Sequence, residues 1–283
     1  MSVSNTGPRS VLEPEQALLR LLDVMRRLRE PERGCPWDLA QTFETLVPYT
    51  LEEAYEVADA VARADLRALR DELGDLLFQV VFHSRLAEEQ GAFSFADVAA
   101  GIADKLTRRH PHVFADATYA SAAEQTSAWE QFKAAERDAH GARGTLDGVA
   151  RALPALVRAH KLGKRAAGVN FDWPNTSGVR DKVREELAEL DEAVNGREGE
   201  ARMSEELGDL LFVIANWARH LGLDAEAALR GANAKFERRF AFIEAAAGQQ
   251  GLALSGLSAQ QWETLWQAAK DTEKASESTT SAR

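Results

Sequence analysis

Eight acidic side chains occur in two sets that share one spacing. In each set two acids stand three residues apart, and a second such pair follows after 15 or 16 intervening residues. Residues three apart lie on one face of a helix. Two helices that pack antiparallel across a short loop would therefore bring four carboxylates together. The predicted metal-binding acids are Glu53, Glu56, Glu72 and Asp75 in the first set and Glu186, Glu189, Glu206 and Asp209 in the second.

Four facing carboxylates repel one another unless a counter-charge lies between them. Oxygen ligands favour Mg2+ or Mn2+, and the single cysteine, Cys35, rules out a cysteine-built metal cage. Di-iron carboxylate proteins use Glu-x-x-His motifs, and neither acidic motif here has a histidine three residues on. The expected cofactor is therefore Mg2+, with Mn2+ as the alternative.

An isolated EExxE string is more often a solvated helix face than a site. Here the second pair of acids runs into an apolar segment that we expect to be buried, DLLFQVVF at 75–82. Gly74 lies inside the same helix at a cost of about 1 kcal/mol relative to alanine, which indicates a close approach to a neighbour. Because both features recur in the other half, a site is favoured over a solvated face.

Basic and aromatic residues of the second half have the spacing of a phosphate clamp. Lys182 lies one turn before Glu186, and Lys235 shares a helix face with Arg239. Trp266 and Lys270 repeat that spacing, although Trp266 equally fits an ordinary apolar stripe. The predicted substrate-binding residues are Lys182, Asn233, Lys235, Arg239, Trp266 and Lys270, and catalytic roles are predicted for Glu186, Glu189, Lys235, Arg239 and Lys270.

The acidic motifs belong to an internal duplication. DELGDLLF at 71–78 returns as EELGDLLF at 205–212, and the upstream acidic motif recurs with it. Two further pairs recur in the same order: Lys105 with Arg109 as Lys235 with Arg239, and Trp129 with Lys133 as Trp266 with Lys270. Four motifs in one order indicate two homologous halves.

The apolar spacing of three and four residues predicts helices in both halves, and alternating strand patterns are nearly absent. We therefore expect an all-α fold of about five helices per half. The predicted domains are two helical bundles at 14–140 and 150–273, with the seam in RDAHGARGTLDGVA at 137–150. A polar, Ser/Thr-rich tail at 274–283 is expected to be disordered.

Composition narrows the class of protein. The 283 residues include 34 Lys+Arg against 45 Asp+Glu, a net charge of −11 with a pI near 5.2. That balance argues against stable nucleic-acid binding, which needs clustered positive charge. No apolar run is long enough to span a bilayer, and Met1–Ser10 lacks the apolar region of a signal peptide. A cytoplasmic protein without membrane contact is expected.

The EExxE and ExxD motifs look like those of the all-α nucleoside triphosphate pyrophosphohydrolases. Their tandem arrangement resembles the MazG family in particular, together with GCPWD at 34–38, LEEAYEV at 51–57, RRHPHVFAD at 108–116, FDW at 171–173 and KFERRF at 235–240. The resemblance implies Mg2+-dependent hydrolysis of NTPs and dNTPs to the monophosphate and pyrophosphate. It also implies a homodimer whose helices complete the bundles.

Two alternatives remain open beside a general NTP pyrophosphohydrolase. One is a narrower enzyme for dUTP, a modified nucleotide or a phosphoribosyl nucleotide; the other is a helical module that senses nucleotides without turnover. The halves also differ, because Lys182 aligns with Tyr49 and Asn233 with Ala103. We therefore expect the second half to carry most of the catalysis.

Overall fold

The fold was described from a computed structural model, which covers residues 13–280 except 122–123, 126–127, 130–131, 134–135 and 137–143. Within these residues every regular element is a helix, which confirms the all-α prediction. The chain divides into two compact units, residues 1–132 and 133–283. This division lies just before the predicted seam, whose first seven residues fall outside the described part of the chain.

The described helices of the first unit run from Pro14 to Phe114. They are α1 (Pro14–Leu28), α2 (Pro36–Leu39), α3 (Phe43–Ala62), α4 (Leu66–Glu89), α5 (Phe95–Arg109) and α6 (Pro111–Phe114). Contacts of α4 with α1, α3 and α5 organise this unit. Its core contains Met25, Leu46, Val81, Phe82 and Leu86.

The described helices of the second unit begin at Ala155. They are α7 (Ala155–Ala167), α8 (Thr176–Gly196), α9 (Glu200–His220), α10 (Ala225–Gln249) and α11 (Ala259–Thr280), with a 3-10 turn at Leu254–Gly256. Helix α9 packs against α7 and α8, and α10 packs against α11 around Ile243, Ala247 and Leu265. None of the helices described in either unit is long and apolar enough to cross a membrane.

The last helix differs from the sequence prediction. Helix α11 continues to Thr280, past position 274 where the disordered tail was expected to begin. The segment from Glu273 to Thr280 contains no glycine or proline to end a helix. Each residue added to a formed helix also gains a backbone hydrogen bond, so the helix propagates through this polar sequence.

Helices α3 and α4 form a tight hairpin in the first unit, and α8 and α9 form its counterpart in the second. Residues in the left-handed region help to reverse the chain in each, Ala64 with φ 54° in the first loop and Arg197 with φ 55° in the second, where Gly199 also has a positive φ of 95°. The Asp65 carboxylate then accepts hydrogen bonds from the backbone N–H groups of Arg67 and Ala68, at 3.0 Å each, and begins α4. Both acidic motifs therefore lie on antiparallel helices, as their spacing predicted.

Side-chain caps also begin the first helix of each hairpin. Thr42 and Thr45 exchange side-chain to backbone hydrogen bonds at the start of α3. The Asn175 side chain accepts from the backbone N–H groups of Ser177 and Gly178 at the start of α8. Each cap satisfies donors that the first turn leaves unpaired, and so sets where the acidic positions fall along the helix.

The apolar segment after the first acidic pair is less buried than predicted. Val81 and Phe82 are in the core, whereas Leu77 and Val80 are exposed. A Cβ added at Gly74 would meet nothing within 4 Å, and the same holds at Gly208. The close approach expected at Gly74 therefore does not occur inside the described part of its unit, because this face of α4 packs against no other helix there.

A close approach does occur between α7 and α9. A Cβ added at Gly163 would lie 2.7 Å from Oδ1 of Asn216. That oxygen accepts a 2.6 Å hydrogen bond from Nε of Arg219, so it cannot move aside without breaking the bond. Gly163 is therefore required by packing.

We predict that Gly163→Ala lowers the free energy of unfolding by about 1–3 kcal/mol, the usual cost of overpacking. Gly231→Ala is the matched control, because Gly231 lies inside α10 and a Cβ there meets nothing within 4 Å. The control should raise stability by up to about 1 kcal/mol through helix propensity. Urea unfolding of the full chain measures both effects, and equal stability of Gly163→Ala and wild type would contradict the packing argument.

Candidate functional site

Three of the four predicted acids converge in the first unit. Glu53 and Glu56 of α3 and Glu72 of α4 each offer a carboxylate oxygen, and these atoms all lie within 4.8 Å of one another. Asp75, one turn further along α4, is exposed and lies outside this set. We call Glu53, Glu56 and Glu72 the first cluster.

Three acids also converge in the second unit, with a different member left out. Glu186 of α8 and Glu206 and Asp209 of α9 offer carboxylate oxygens within 4.8 Å of one another. Glu189 lies outside this set and is partly exposed. We call Glu186, Glu206 and Asp209 the second cluster.

Like charges and burial dominate the first cluster. The pKa of Glu53 is raised by burial, then by the nearby carboxylates of Asp75 and Glu56. The pKa of Glu72 is raised by burial and by Glu56 and Asp75. Asp75 therefore contributes to the electrostatics of the first cluster although it lies outside the closest set.

Two basic residues pair with the two buried acids of the second cluster. Nζ of Lys182 lies 2.8 Å from Glu186 and 2.7 Å from Glu185. Arg202 pairs with Glu206 and, at 2.9 Å, with Glu205. The two paired cluster acids are buried, with Glu186 5% and Glu206 2% exposed, and a buried carboxylate needs such a partner.

These contacts also move the pKa values of the second cluster. Hydrogen bonds to Glu185 and Glu186 raise the pKa of the Lys182 ammonium far above its usual range. Burial raises the pKa of Glu206, and Arg202 opposes this shift, while Glu189, Glu186 and Asp209 add to it. The side chains of α8 and α9 thus form one electrostatic unit.

Arg202 was not among the residues predicted from the sequence. Its signal is present there, because Arg202 precedes Glu206 by four residues, as Lys182 precedes Glu186. The corresponding positions of the first unit are Ala68 and Tyr49. A comparison of the two halves one turn before each acid would therefore have found Arg202.

The donor set of each cluster fits a hard divalent cation. All donors are carboxylate oxygens, and opposite ligands in an Mg2+ octahedron are about 4.2 Å apart, since each bond is about 2.1 Å. Oxygens within 4.8 Å of one another reach that geometry with small side-chain movements. Glu53, Glu56 and Glu72 could hold one ion, and Glu186, Glu206 and Asp209 another.

Apart from Lys182 on α8, the predicted phosphate clamp lies on α10 and α11. Asn233 and Lys235 are exposed on α10, and Lys270 is partly buried on α11. Within the described residues, no ion pair joins Lys235, Arg239 or Lys270 to the acids of either cluster. The clamp therefore stays a prediction.

Arg239 and Trp266 contact each other. The Arg239 guanidinium lies 5.6 Å from the centre of the Trp266 ring, and its Nε donates to Glu273 at 2.8 Å. Trp266 also packs against the core of the α10–α11 pair, which agrees with the apolar-stripe alternative. The first unit repeats the contact, with Arg109 5.4 Å from the centre of the Trp129 ring. The duplication thus extends from the acids to this pair.

An ionic contact attaches the loop before α8 to the end of α9. Oδ1 of Asp172 accepts hydrogen bonds from Arg219 at 2.6 Å and from Nε2 of His220 at 2.8 Å. The next residue, Trp173, packs so closely on α8 that a Cβ at Gly178 would lie 2.9 Å from its ring. Gly178, Lys182 and Glu186 are spaced four apart, so this loop fixes the start of the face that carries the second cluster.

The fold and the site define a class of protein: acidic, all-α and internally duplicated, with a carboxylate cluster on a helical hairpin in each half. Comparison with known proteins identifies the particular family. The family model described as the MazG nucleotide pyrophosphohydrolase domain matches residues 41–114 and 176–241, and these segments contain both hairpins.

Related proteins match along most of the chain. A nucleoside triphosphate pyrophosphohydrolase of Escherichia coli strain K12 is 52% identical over 252 residues, which cover 89% of this chain and 96% of the relative. The nucleoside triphosphate pyrophosphohydrolase/pyrophosphatase MazG of Thermotoga maritima is 42% identical over 250 residues, 88% of this chain and 94% of the relative. The chain belongs to the MazG nucleotide pyrophosphohydrolase family.

We predict that the contact of Asp172 makes stability depend on pH. Burial raises the pKa of Asp172, but the hydrogen bonds from Arg219 and His220 outweigh it and leave the pKa below its usual value. The contribution is therefore complete above the unfolded-state pKa of about 3.9 and is lost as the pH falls through the lower folded-state pKa.

The thermal midpoints of wild type and Asp172→Asn should differ most near about pH 7, and the difference should shrink as the pH falls below about 3.9. Asp104→Asn, an exposed position on α5, is the charge-matched control. A gap between wild type and Asp172→Asn that stays constant over this range would show that the carboxylate charge contributes nothing.

Proposed function

We propose that the protein is a Mg2+-dependent nucleoside triphosphate pyrophosphohydrolase that converts NTPs and dNTPs to the monophosphate and pyrophosphate. The observation that carries this proposal is the second cluster, where three carboxylates lie within 4.8 Å of one another beside Lys182 and Arg202. Carboxylates suit the metal, and the two cations suit a polyanionic substrate. The names of the relatives from E. coli and T. maritima support the same activity.

The proposed mechanism assigns a role to the second cluster and to the two cations beside it. Glu186, Glu206 and Asp209 would hold Mg2+, which supplies charge neutralisation and a more acidic water when bound. Lys182 and Arg202 bind phosphate oxygens and so offset repulsion between the triphosphate and the acids. Positioning and electrostatic stabilisation account for most of phosphoryl-group chemistry, which needs no serine or cysteine nucleophile.

Glu189 is our candidate for the base that accepts a proton from the attacking water. It lies one turn after Glu186 on the same face of α8, outside the closest set of oxygens. Its carboxylate still acts on Glu206, whose pKa it helps to raise. Because this carboxylate lies beside the closest set of oxygens and not in it, it need not bind the metal and can accept a proton.

We further propose that the protein is a homodimer. Leu73, Leu77 and Val80 form an exposed stripe on α4, and the equivalent Leu207, Leu211 and Ile214 form one on α9. An apolar stripe exposed at the same positions of both hairpins is typical of a covered interface. A second copy of the chain is the occupant that we propose, because a two-fold contact would pair each stripe with itself.

The activity is tested by incubating the full chain with a panel of NTPs and dNTPs and Mg2+ and separating the products. We expect monophosphate and pyrophosphate from several nucleotides, and a loss of about a hundredfold or more in kcat/KM for Glu206→Gln, which removes one metal ligand. Turnover of one nucleotide alone would favour the narrow-specificity enzyme. Binding without turnover would favour the nucleotide sensor.

Glu72→Gln is the matched variant in the first cluster, since Glu72 and Glu206 occupy equivalent positions. We expect it to reduce pyrophosphate release less than Glu206→Gln does, because no cation pairs with the first cluster in the described residues. A greater loss from Glu72→Gln would assign most of the catalysis to the first half.

The homodimer is tested by light scattering on a size-exclusion column. Wild type should have about twice the 31.1 kDa mass of one chain, and Leu77→Glu with Leu211→Glu should shift the population towards the monomer, because charges would be buried at the interface. Leu19→Glu is the control, since Leu19 is exposed on α1 and belongs to neither stripe. A wild-type protein with the mass of one chain would refute the homodimer.

A further inference from the structure

The two clusters differ in how their negative charge is balanced. In the second unit, Lys182 and Arg202 each stand one turn before a cluster acid on the same helix and pair with it. Glu186 and Glu206 can be almost completely buried because these cations accompany them. In the first unit the equivalent positions hold Tyr49 and Ala68, and the cluster acids are partly or fully exposed.

Tyr49 and Ala68 also have contacts that do not involve the first cluster. The Tyr49 ring packs edge-on against Trp37, with 5.8 Å between ring centres. The backbone N–H of Ala68 donates to the Asp65 cap of α4. The first cluster thus has like charges and partial access to water where the second has ion pairs.

We propose that Lys182 and Arg202 occupy the place of the metal in the second cluster, so that a divalent cation must displace them before it binds Glu186 and Glu206. Metal binding there is consequently weak without nucleotide and strengthens when a triphosphate provides new partners for the two released cations. The first cluster binds metal without such competition. This inference rests on the proposed function, because it takes the acids as metal ligands.

The physical basis is a linked equilibrium. When only a fraction of the protein is in the state that can bind a ligand, the apparent affinity falls in proportion to that fraction. Charge-assisted hydrogen bonds such as the 2.8 Å contact of Lys182 with Glu186 keep the competent fraction small. Triphosphate oxygens offer equivalent partners, so the cost of releasing the cations falls when substrate is present. Lys182 and Arg202 thereby couple metal binding to substrate binding.

The test measures Mn2+ binding to the full chain by calorimetry, without nucleotide. The first cluster is neutralised by Glu53→Gln with Glu72→Gln, so that the second cluster binds the metal. Adding Lys182→Met with Arg202→Met should lower the Kd for Mn2+ about tenfold. This is the change expected if the two cations occupy the acids in about nine-tenths of the molecules. An unchanged Kd would overturn the inference.

Arg180→Met with Arg184→Met is the matched control for charge. It also removes two positive charges, but from the opposite face of α8, where Arg184 pairs with Asp181. Because salt screens exposed charges on the far side of a helix, we expect this control to change the Kd for Mn2+ by about twofold at most. If the control lowers the Kd for Mn2+ as much as Lys182→Met with Arg202→Met does, loss of positive charge alone explains the effect. That result would overturn the inference that the metal displaces Lys182 and Arg202.

A converse variant keeps the test valid if the double methionine variant does not fold. With the second cluster neutralised by Glu186→Gln and Glu206→Gln, Ala68→Arg introduces a cation one turn before Glu72. We expect the Kd for Mn2+ at the first cluster to rise about tenfold. No change with a folded Ala68→Arg protein would overturn the inference.

The last measurement is how much a nucleotide increases the affinity for Mn2+. An α,β-methylene triphosphate, which resists cleavage, should increase Mn2+ affinity less in the Lys182→Met, Arg202→Met protein than in its parent. Equal increases in the two proteins would overturn the coupling. Mn2+ that binds neither cluster would overturn this inference and the metal role of the acids together, whereas Mn2+ that binds both clusters and ignores the two cations would overturn this inference alone.

Discussion

The main physical constraint on the two hairpins is the close placement of like-charged carboxylates. Carboxylate oxygens within 4.8 Å repel one another and lose hydration on burial. A tight antiparallel hairpin supplies the rigidity for this, since backbone hydrogen bonds and the turns at Ala64 and Arg197 keep the acids opposite each other. The caps at Thr42 and Asn175 and the close packing at Gly163 serve the same constraint, because each fixes a helix that carries or supports the acids.

The two halves meet this constraint in different ways. In the second half, cations one turn away allow nearly complete burial of Glu186 and Glu206. In the first half, partial exposure substitutes for ion pairs, and the pKa values of Glu53 and Glu72 are raised by burial and by neighbouring carboxylates. A duplicated scaffold thus carries two carboxylate clusters of related shape and different electrostatics.

Much of the site follows from sequence spacing, because a helix places residues three and four apart on one face. The all-α fold, the antiparallel hairpins, the convergence of six of the eight predicted acids and the position of Lys182 beside Glu186 agree with that spacing. Arg202 was accessible by the same rule and was missed. The exposure of Leu77 and the open space at Gly74 were not accessible, since hydrophobic periodicity identifies an apolar face without identifying what covers it.

The sequence by itself determined the local geometry: which residues are helical, which side chains share a face and that the motif occurs twice. Tertiary structure alone decided which three of four acids converge, with Asp75 left outside in one unit and Glu189 in the other. It also directed Arg239 to Glu273 and Trp266. The physical reason is that helical periodicity acts over a few residues, whereas the relative rotation and offset of two packed helices depend on side-chain packing between segments distant in sequence.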